Sequence, residues 1–192
     1  MAWKYNPAQI DSITRTRGLD MSTAEGSARP SARCFHTGGK PSTVTTDGTD
    51  LSIVVTELYV AEVFVPVTLT VTGISLHMGS ATEGSTTTGT KVMLFNAAGT
   101  RLVISPDIDV SAFTVDNYGD CAFTTPYTLP GPGTYYVGVI SGVNTNRINT
   151  HVMGRFGAGK VTGLVYATES GYATITPPTT FTTGLGPIAT LY

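Results

Sequence analysis

The sequence predicts an all-β protein whose main body is a β-sandwich. Three observations carry this. Short apolar runs of Val, Ile, Leu, Phe and Tyr recur along residues 51–192, and such runs are the raw material of strands. Clusters of Gly, Pro and Asn separate them at roughly 8–12-residue intervals, the spacing of antiparallel sandwiches. Threonine is frequent, 34 residues of 192, while charged residues make up only 12%. Thr is β-branched and polar, so it suits the solvent face of a strand. No long segment has helical periodicity. About eight to ten strands are expected, with a jelly roll as the topology and an extended N-terminal arm before it.

Residues 1–50 are read as that arm plus a linker. Ala, Ser, Thr, Gly, Arg and Pro prevail, and apolar residues lack a period. Such a segment cannot bury enough surface to offset its ordering entropy by itself. Trp3, Tyr5, Ile10, Ile13 and Leu19 are spaced like anchors for a partner. Trp3 is the only tryptophan, a residue over-represented among binding hot spots. Residues 38–50 (GGKPSTVTTDGTD) read as the linker, which puts the sandwich at 51–192.

Leu51–Val55 opens the sandwich. The stretch 57–79, ELYVAEVFVPVTLTVTGISLHMG, has the clearest strand signal. Pro66 cannot donate a ladder hydrogen bond, so it marks a corner between two strands. Leu69 and Val71 alternate with Thr68, Thr70 and Thr72, which predicts one buried face. After Gly73 the apolar phase moves to Ile74, Leu76 and Met78, which predicts a β-bulge. On this phase His77 faces solvent. Lys91–Phe95 and Arg101–Ser105 form a hairpin around Asn96–Thr100. Residues 106–118 connect to a short strand at Cys121–Thr124. Leu129–Gly133 is a rigid turn, and Thr134–Ile140 (TYYVGVI) a central strand. Residues 142–180 carry weaker signals. Pro187–Tyr192 closes the chain as a strand.

Charge and cysteine usage narrow the function classes. Net charge is −2, which gives no reason to expect nucleic acid. Yet the first 40 residues hold six Lys/Arg against three Asp/Glu, so the arm is mildly basic. No run reaches the ~18 apolar residues of a membrane span, and no signal-peptide pattern precedes the body, so a soluble protein made in a cytoplasm is expected. Cys34 and Cys121 have no metal-ligand spacing and are read as buried free thiols in preference to a disulfide between them.

The search for chemistry predicts no catalytic, cofactor or metal site. Residues 154–160 (GRFGAGK) match the start of a phosphate-binding loop. Val161 stands where a Mg²⁺-binding Ser or Thr is needed, and a strand-like stretch follows where a helix should start. His36, His77 and His151 are dispersed. Asp107, Asp109, Asp116 and Asp120 match no calcium loop. Glu57 and Glu62 lie five apart, so on one strand they face opposite sides and cannot act as paired carboxylates. No serine sits in a nucleophile elbow.

Four phrases, taken in order, resemble one family. They are LYVAEVFVPVTLTVTGISLHMG (58–79), KVMLFNAAGTRL (91–102), FTTPYTLPGPGTYYVGV (123–139) and GPIATLY (186–192). The set is similar to β-sandwich virion proteins of tailed bacteriophages, known as head-fibre, capsid-decoration or minor structural proteins. The resemblance spans 58–192, with gaps at 103–122 and 142–180, and leaves out the arm. It implies a non-enzymatic structural protein on the outer surface of the phage head, made in the host cytoplasm. The expected partner is the major capsid protein or another virion protein. A homotrimer is expected, packed through sheet faces. The attachment residues are then Trp3, Lys4, Tyr5, Arg15, Arg17, Arg29 and Arg33 of the arm. The alternative is a carbohydrate- or receptor-binding module of a fibre, stacking Tyr118, Tyr127, Tyr166 and Tyr172 on a host-surface glycan.

Overall fold

The computed structural model describes Thr37 and residues 48–65, 67–80, 89–152 and 157–192. Ten strands lie among them: β1 Gly48–Ser52, β2 Glu57–Val65, β3 Leu69–His77, β4 Thr90–Asn96, β5 Arg101–Ile104, β6 Tyr118–Leu129, β7 Gly133–Ser141, β8 Arg147–His151, β9 Ala158–Thr162 and β10 Ala189–Leu191. Two single 3-10 turns, Val110–Ala112 and Glu169–Tyr172, interrupt the loops. All strand pairs are antiparallel. The protein is a β-sandwich, as composition and turn spacing predict.

One layer is five-stranded, in the order β5-β4-β7-β2-β9. The other joins β10-β3-β6 to the β1-β8 pair. The join is made by backbone: Met78 bridges Ile148, Thr150 bridges Pro187, and Ile188 N–H donates to Asn149 O at 2.9 Å. β7 is the central strand of its layer, as the run TYYVGVI suggests.

A two-stranded ribbon ties the layers together. β2 pairs with β7 up to Val65↔Gly133, and β3 pairs with β6 from Leu69↔Leu129. Between these points both chains cross from one layer to the other. Gly131 sits at the crossing with φ of 28°, and a side chain there would strike the Val67 carbonyl. Only glycine meets both conditions. The corner expected at Pro66 lies outside the described residues.

The main core fills the space between the layers. Tyr59, Val63 and Val65 of β2, Val92 and Leu94 of β4, and Val137 and Val139 of β7 pack with Val71, Ile74 and Leu76 of β3, Cys121 and Phe123 of β6, Ile148 and Leu191. Each such side chain contributes ~1.5–3 kcal/mol on burial. The apolar phase of β3 slips between Val71 and Gly73, as predicted. The extra residues, however, belong to β6: Val71 pairs Tyr127 while Gly73 pairs Ala122. β6 is therefore one 12-residue strand with an irregular middle, where a four-residue strand is predicted.

A second apolar cluster covers the outer face of the five-stranded sheet. Leu58, Val60, Met93, Phe95, Tyr136 and Ile140 lie beneath Tyr166, Tyr172 and Ile175. β4, β7 and the first half of β2 are thus buried on both faces. This explains why LYVAEV, VMLF and YYVGVI read as continuous apolar runs. The weak segment 142–180 supplies the cover as well as β8 and β9.

Two boundaries move. β1 begins at Gly48, so residues 48–50 belong to the sheet and not to the linker. Thr37 is also part of the folded body: it is buried, and its N–H donates to Ala189 O at 3.0 Å.

Candidate functional site

The densest polar cluster surrounds Lys91. β4 carries it on the outer face, between apolar neighbours, and its side chain is only 8% exposed. Nζ lies 2.6 Å from Glu169 Oε1, 3.7 Å from Asp107 Oδ1 and 4.9 Å from the centre of the Tyr166 ring. The Tyr166 hydroxyl donates to Asp107, and Tyr172 Oη donates to Tyr166 O at 2.8 Å. Arg101 Nη1 donates to Glu169 O at 3.0 Å, and its guanidinium lies over the Tyr172 ring. Burial first, then the neighbouring Glu169 carboxylate, pushes the Tyr172 hydroxyl up to about 12. Burial and the Asp107 hydrogen bond push Tyr166 up too. Both phenols stay protonated and serve as donors, so the cluster is a clamp. It fixes residues 163–175 to the sheet.

Three further groups clamp other edges. Arg147 Nε lies 2.8 Å from Asp50 Oδ2 and joins β8 to β1. Burial raises the Asp50 carboxyl, but hydrogen bonds from Arg147 and Ser80 outweigh it and hold the group below its ordinary value. Lys160 Nζ lies 2.6 Å from Glu57 Oε1 and joins β9 to β2. Burial raises Glu57 as well; Lys160 and the Tyr59 hydroxyl bring it below normal. Glu62 accepts the Gly157 N–H at 2.9 Å on the opposite face of β2. The two glutamates do not converge, as the strand period requires.

Buried polar groups are also matched. Asn146 Nδ2 donates to Thr90 Oγ1 at 3.0 Å and to Ser141 Oγ at 3.1 Å. Thr37 Oγ1 donates to Pro187 O at 2.7 Å and accepts from Ala189 N–H at 3.1 Å, with His151 Nε2 at 3.0 Å. Among the described residues no buried side-chain nitrogen or oxygen lacks a partner.

Several sequence-predicted positions need correction. His77 is 6% exposed, not solvent-facing. Its Nδ1 lies 3.0 Å from Met78 O and 2.8 Å from Asn149 Nδ2, and its ring meets Tyr118 edge-on. The outer face of β3 is covered at this end by β8 and Tyr118, which strand alternation cannot reveal. Tyr166 and Tyr172 are buried too, so neither can stack on a glycan. Tyr118 and Tyr127 are half-buried. The four aspartates are dispersed: Asp107 faces Lys91, Asp109 caps a 3-10 turn and Asp120 accepts from Ser75 Oγ at 2.5 Å. No group of three metal-ligating side chains occurs among the described residues. Cys121 is buried as a free thiol, as expected. Of the glycine-rich run 154–160, Ala158–Lys160 open β9, a strand where a phosphate-binding loop needs a helix.

Trp3, Lys4, Tyr5, Arg15, Arg17, Arg29 and Arg33, with Cys34 and His36, lie outside the described residues. The groups that the sequence reading missed are Lys91, Glu169, Asn146 and Thr37. Only Lys91 leaves a trace in the sequence, as the one charge at the head of the run VMLF. No family model, curated protein or solved structure matches the chain.

Proposed function

We propose that the chain is a structural protein of a tailed-phage virion, bound to the outer surface of the head through its N-terminal arm. One observation carries the reading: the distribution of cations. The described residues contain four Lys/Arg side chains, Lys91, Arg101, Arg147 and Lys160. Each is engaged within the chain, by Glu169, the Glu169 carbonyl, Asp50 and Glu57 respectively. Six of the eleven Lys/Arg of the sequence lie in residues 1–40. Cations for holding an acidic partner surface are therefore concentrated in the arm, beside the anchors Trp3 and Tyr5.

The strand pairing supports the fold expected for such a protein. β1 pairs β8, β2 pairs β7, β3 pairs β6 and β4 pairs β5. We infer a jelly roll from this nesting, with β9 added at one edge and β10 inserted between β8 and β3. The phage assignment itself rests on the four sequence phrases. The glycan-binding alternative keeps only Tyr118 and Tyr127 of its four tyrosines.

The test is co-sedimentation with capsids of the phage whose genome encodes the chain. The full chain should pellet with capsids. A chain lacking residues 1–36 should keep its β-sheet circular dichroism and stay in the supernatant. The cut falls before Thr37 because its hydrogen bonds belong to the sandwich. Full occupancy by the truncated chain would overturn the reading. Light scattering on the free protein tests the proposed trimer.

A further inference from the structure

We propose that the Lys91 cluster is a site of covalent self-modification: Lys91 Nζ and the Asp107 carboxyl condense to an amide, with Glu169 carrying the protons. The product is a cross-link from β4 to the β5–β6 connection, independent of any virion role.

The backbone places the two reacting groups side by side. Thr90 N–H donates to Ile108 O at 2.9 Å, and Ile108 N–H returns a bond to Thr90 O at 2.9 Å. Asp107, the residue before Ile108, is therefore held beside Lys91. Nζ lies 3.7 Å from Asp107 Oδ1 and 2.6 Å from Glu169 Oε1, on a side chain only 8% exposed. The Tyr166 hydroxyl donates to the same Oδ1, which polarises the carboxyl and favours attack at its carbon. Glu169 is the closer carboxylate, and Arg101 Nη1 donates to its backbone carbonyl at 3.0 Å. One carboxyl is thus activated as the electrophile, and the other is placed as the base.

The step balances without a co-reactant. Glu169 accepts a proton from the ammonium, and the amine attacks Asp107 Cγ. A bond forms between Nζ and Cγ, and the bond from Cγ to Oδ2 breaks. Oδ2 leaves as water with two protons that Nζ gives up and Glu169 relays. Nothing is oxidised or reduced. Amide formation is unfavourable between separate molecules in water, but groups held in place react with effective molarities of about 10⁵–10⁸ M. The amide also removes a buried ammonium, which is costly to keep out of water. Its N–H faces Glu169, and its oxygen keeps the Tyr166 hydrogen bond. No other ion pair among the described residues has these parts. Lys160 is 37% exposed and meets the single carboxylate of Glu57. Arg147 carries a guanidinium, which stays protonated and is no nucleophile.

Mass spectrometry of the reduced, denatured full-length chain tests this. The wild-type protein should weigh one water less than its sequence requires. Trypsin should leave the chain uncut after Lys91 and release residues 34–101 joined to 102–147, with Lys91 linked to Asp107 in the fragment spectrum. Asp107→Ala should show the full mass of its own sequence. Glu169→Gln should lower the linked fraction at least about tenfold. The proposal fails if the wild type has its full sequence mass, if water is lost without this link, or if Lys91 is linked to Glu169 instead. A Glu169→Gln protein linked as fully as wild type would overturn the proton-carrying role. The wild-type mass decides whether the bond exists even where a variant fails to fold.

Discussion

The ring of Tyr192 lies over Gly73. A Cβ on Gly73 would meet the tyrosine hydroxyl and stand 2.5 Å from the Cys121 carbonyl oxygen. The contact is backed by backbone: Gly73 N–H donates to Tyr192 O at 3.2 Å, and Tyr192 N–H donates to Gly73 O at 3.1 Å. The register shift of β3, the irregular middle of β6 and Tyr192 meet at this point.

Gly73→Ala should therefore destabilise the sandwich by about 2–4 kcal/mol, because a carbonyl in the neighbouring strand must move. Urea denaturation measures it. Gly73→Ala with Tyr192→Ala should recover only part of the loss, since the Cys121 carbonyl remains. Full recovery would assign the whole cost to the tyrosine.

Asn146→Ala should cost about 1–3 kcal/mol, because it leaves the hydroxyls of Thr90 and Ser141 short of a buried donor. Denaturant midpoints of the two proteins, compared at equal slope, give the value. A change under about 0.5 kcal/mol would mean that water replaces the amide.

Stability should decline on acidification in two windows. Burial holds His77 below its ordinary value of 6.5. The unfolded chain then binds the proton more readily, so stability falls as pH drops through the unfolded value, with a slope under about 1.4 kcal/mol per pH unit for one proton. Asp50 and Glu57 are held below their ordinary values of 3.8 and 4.5. Their contribution is present above those values and is lost as pH falls through the lower folded ones. Melting temperatures across pH 3–8 for wild type and His77→Gln check this. The variant should lose the upper window and keep the lower one.

Burial also pushes the Cys121 thiol up, away from the reactive thiolate. Iodoacetamide should leave Cys121 unmodified in the native protein and label it in urea. Peptide mass mapping separates it from Cys34. Rapid native labelling would show that β6 opens locally.

Much of the architecture was legible in residues 51–192. The Asn96–Thr100 hairpin, the β3 phase slip and the closing strand all follow from local rules. Turn chemistry and the two-residue period act over a few residues, so they are written in the chain. Glu57 and Glu62 were likewise placed on opposite faces by counting alone. The exposure of His77, Tyr166 and Tyr172 was misread for the opposite reason. Period 2 says which side chains share a face, not whether a distant segment covers that face.

The candidate site divides along the same line. Sequence by itself determined the β class, the excess of Lys/Arg over Asp/Glu in residues 1–40, the central strand at 134–140 and the lack of convergent carboxylates on β2. Tertiary structure alone decided that Lys91 meets Glu169 across 78 positions and Asp107 across 16. It also decided that Thr37 belongs to the sandwich and that a second apolar cluster covers the outer face of β2, β4 and β7. Local patterns are set by steric and hydrogen-bonding rules between near neighbours. Long-range partners depend on how strands nest, and many nestings suit the same local pattern.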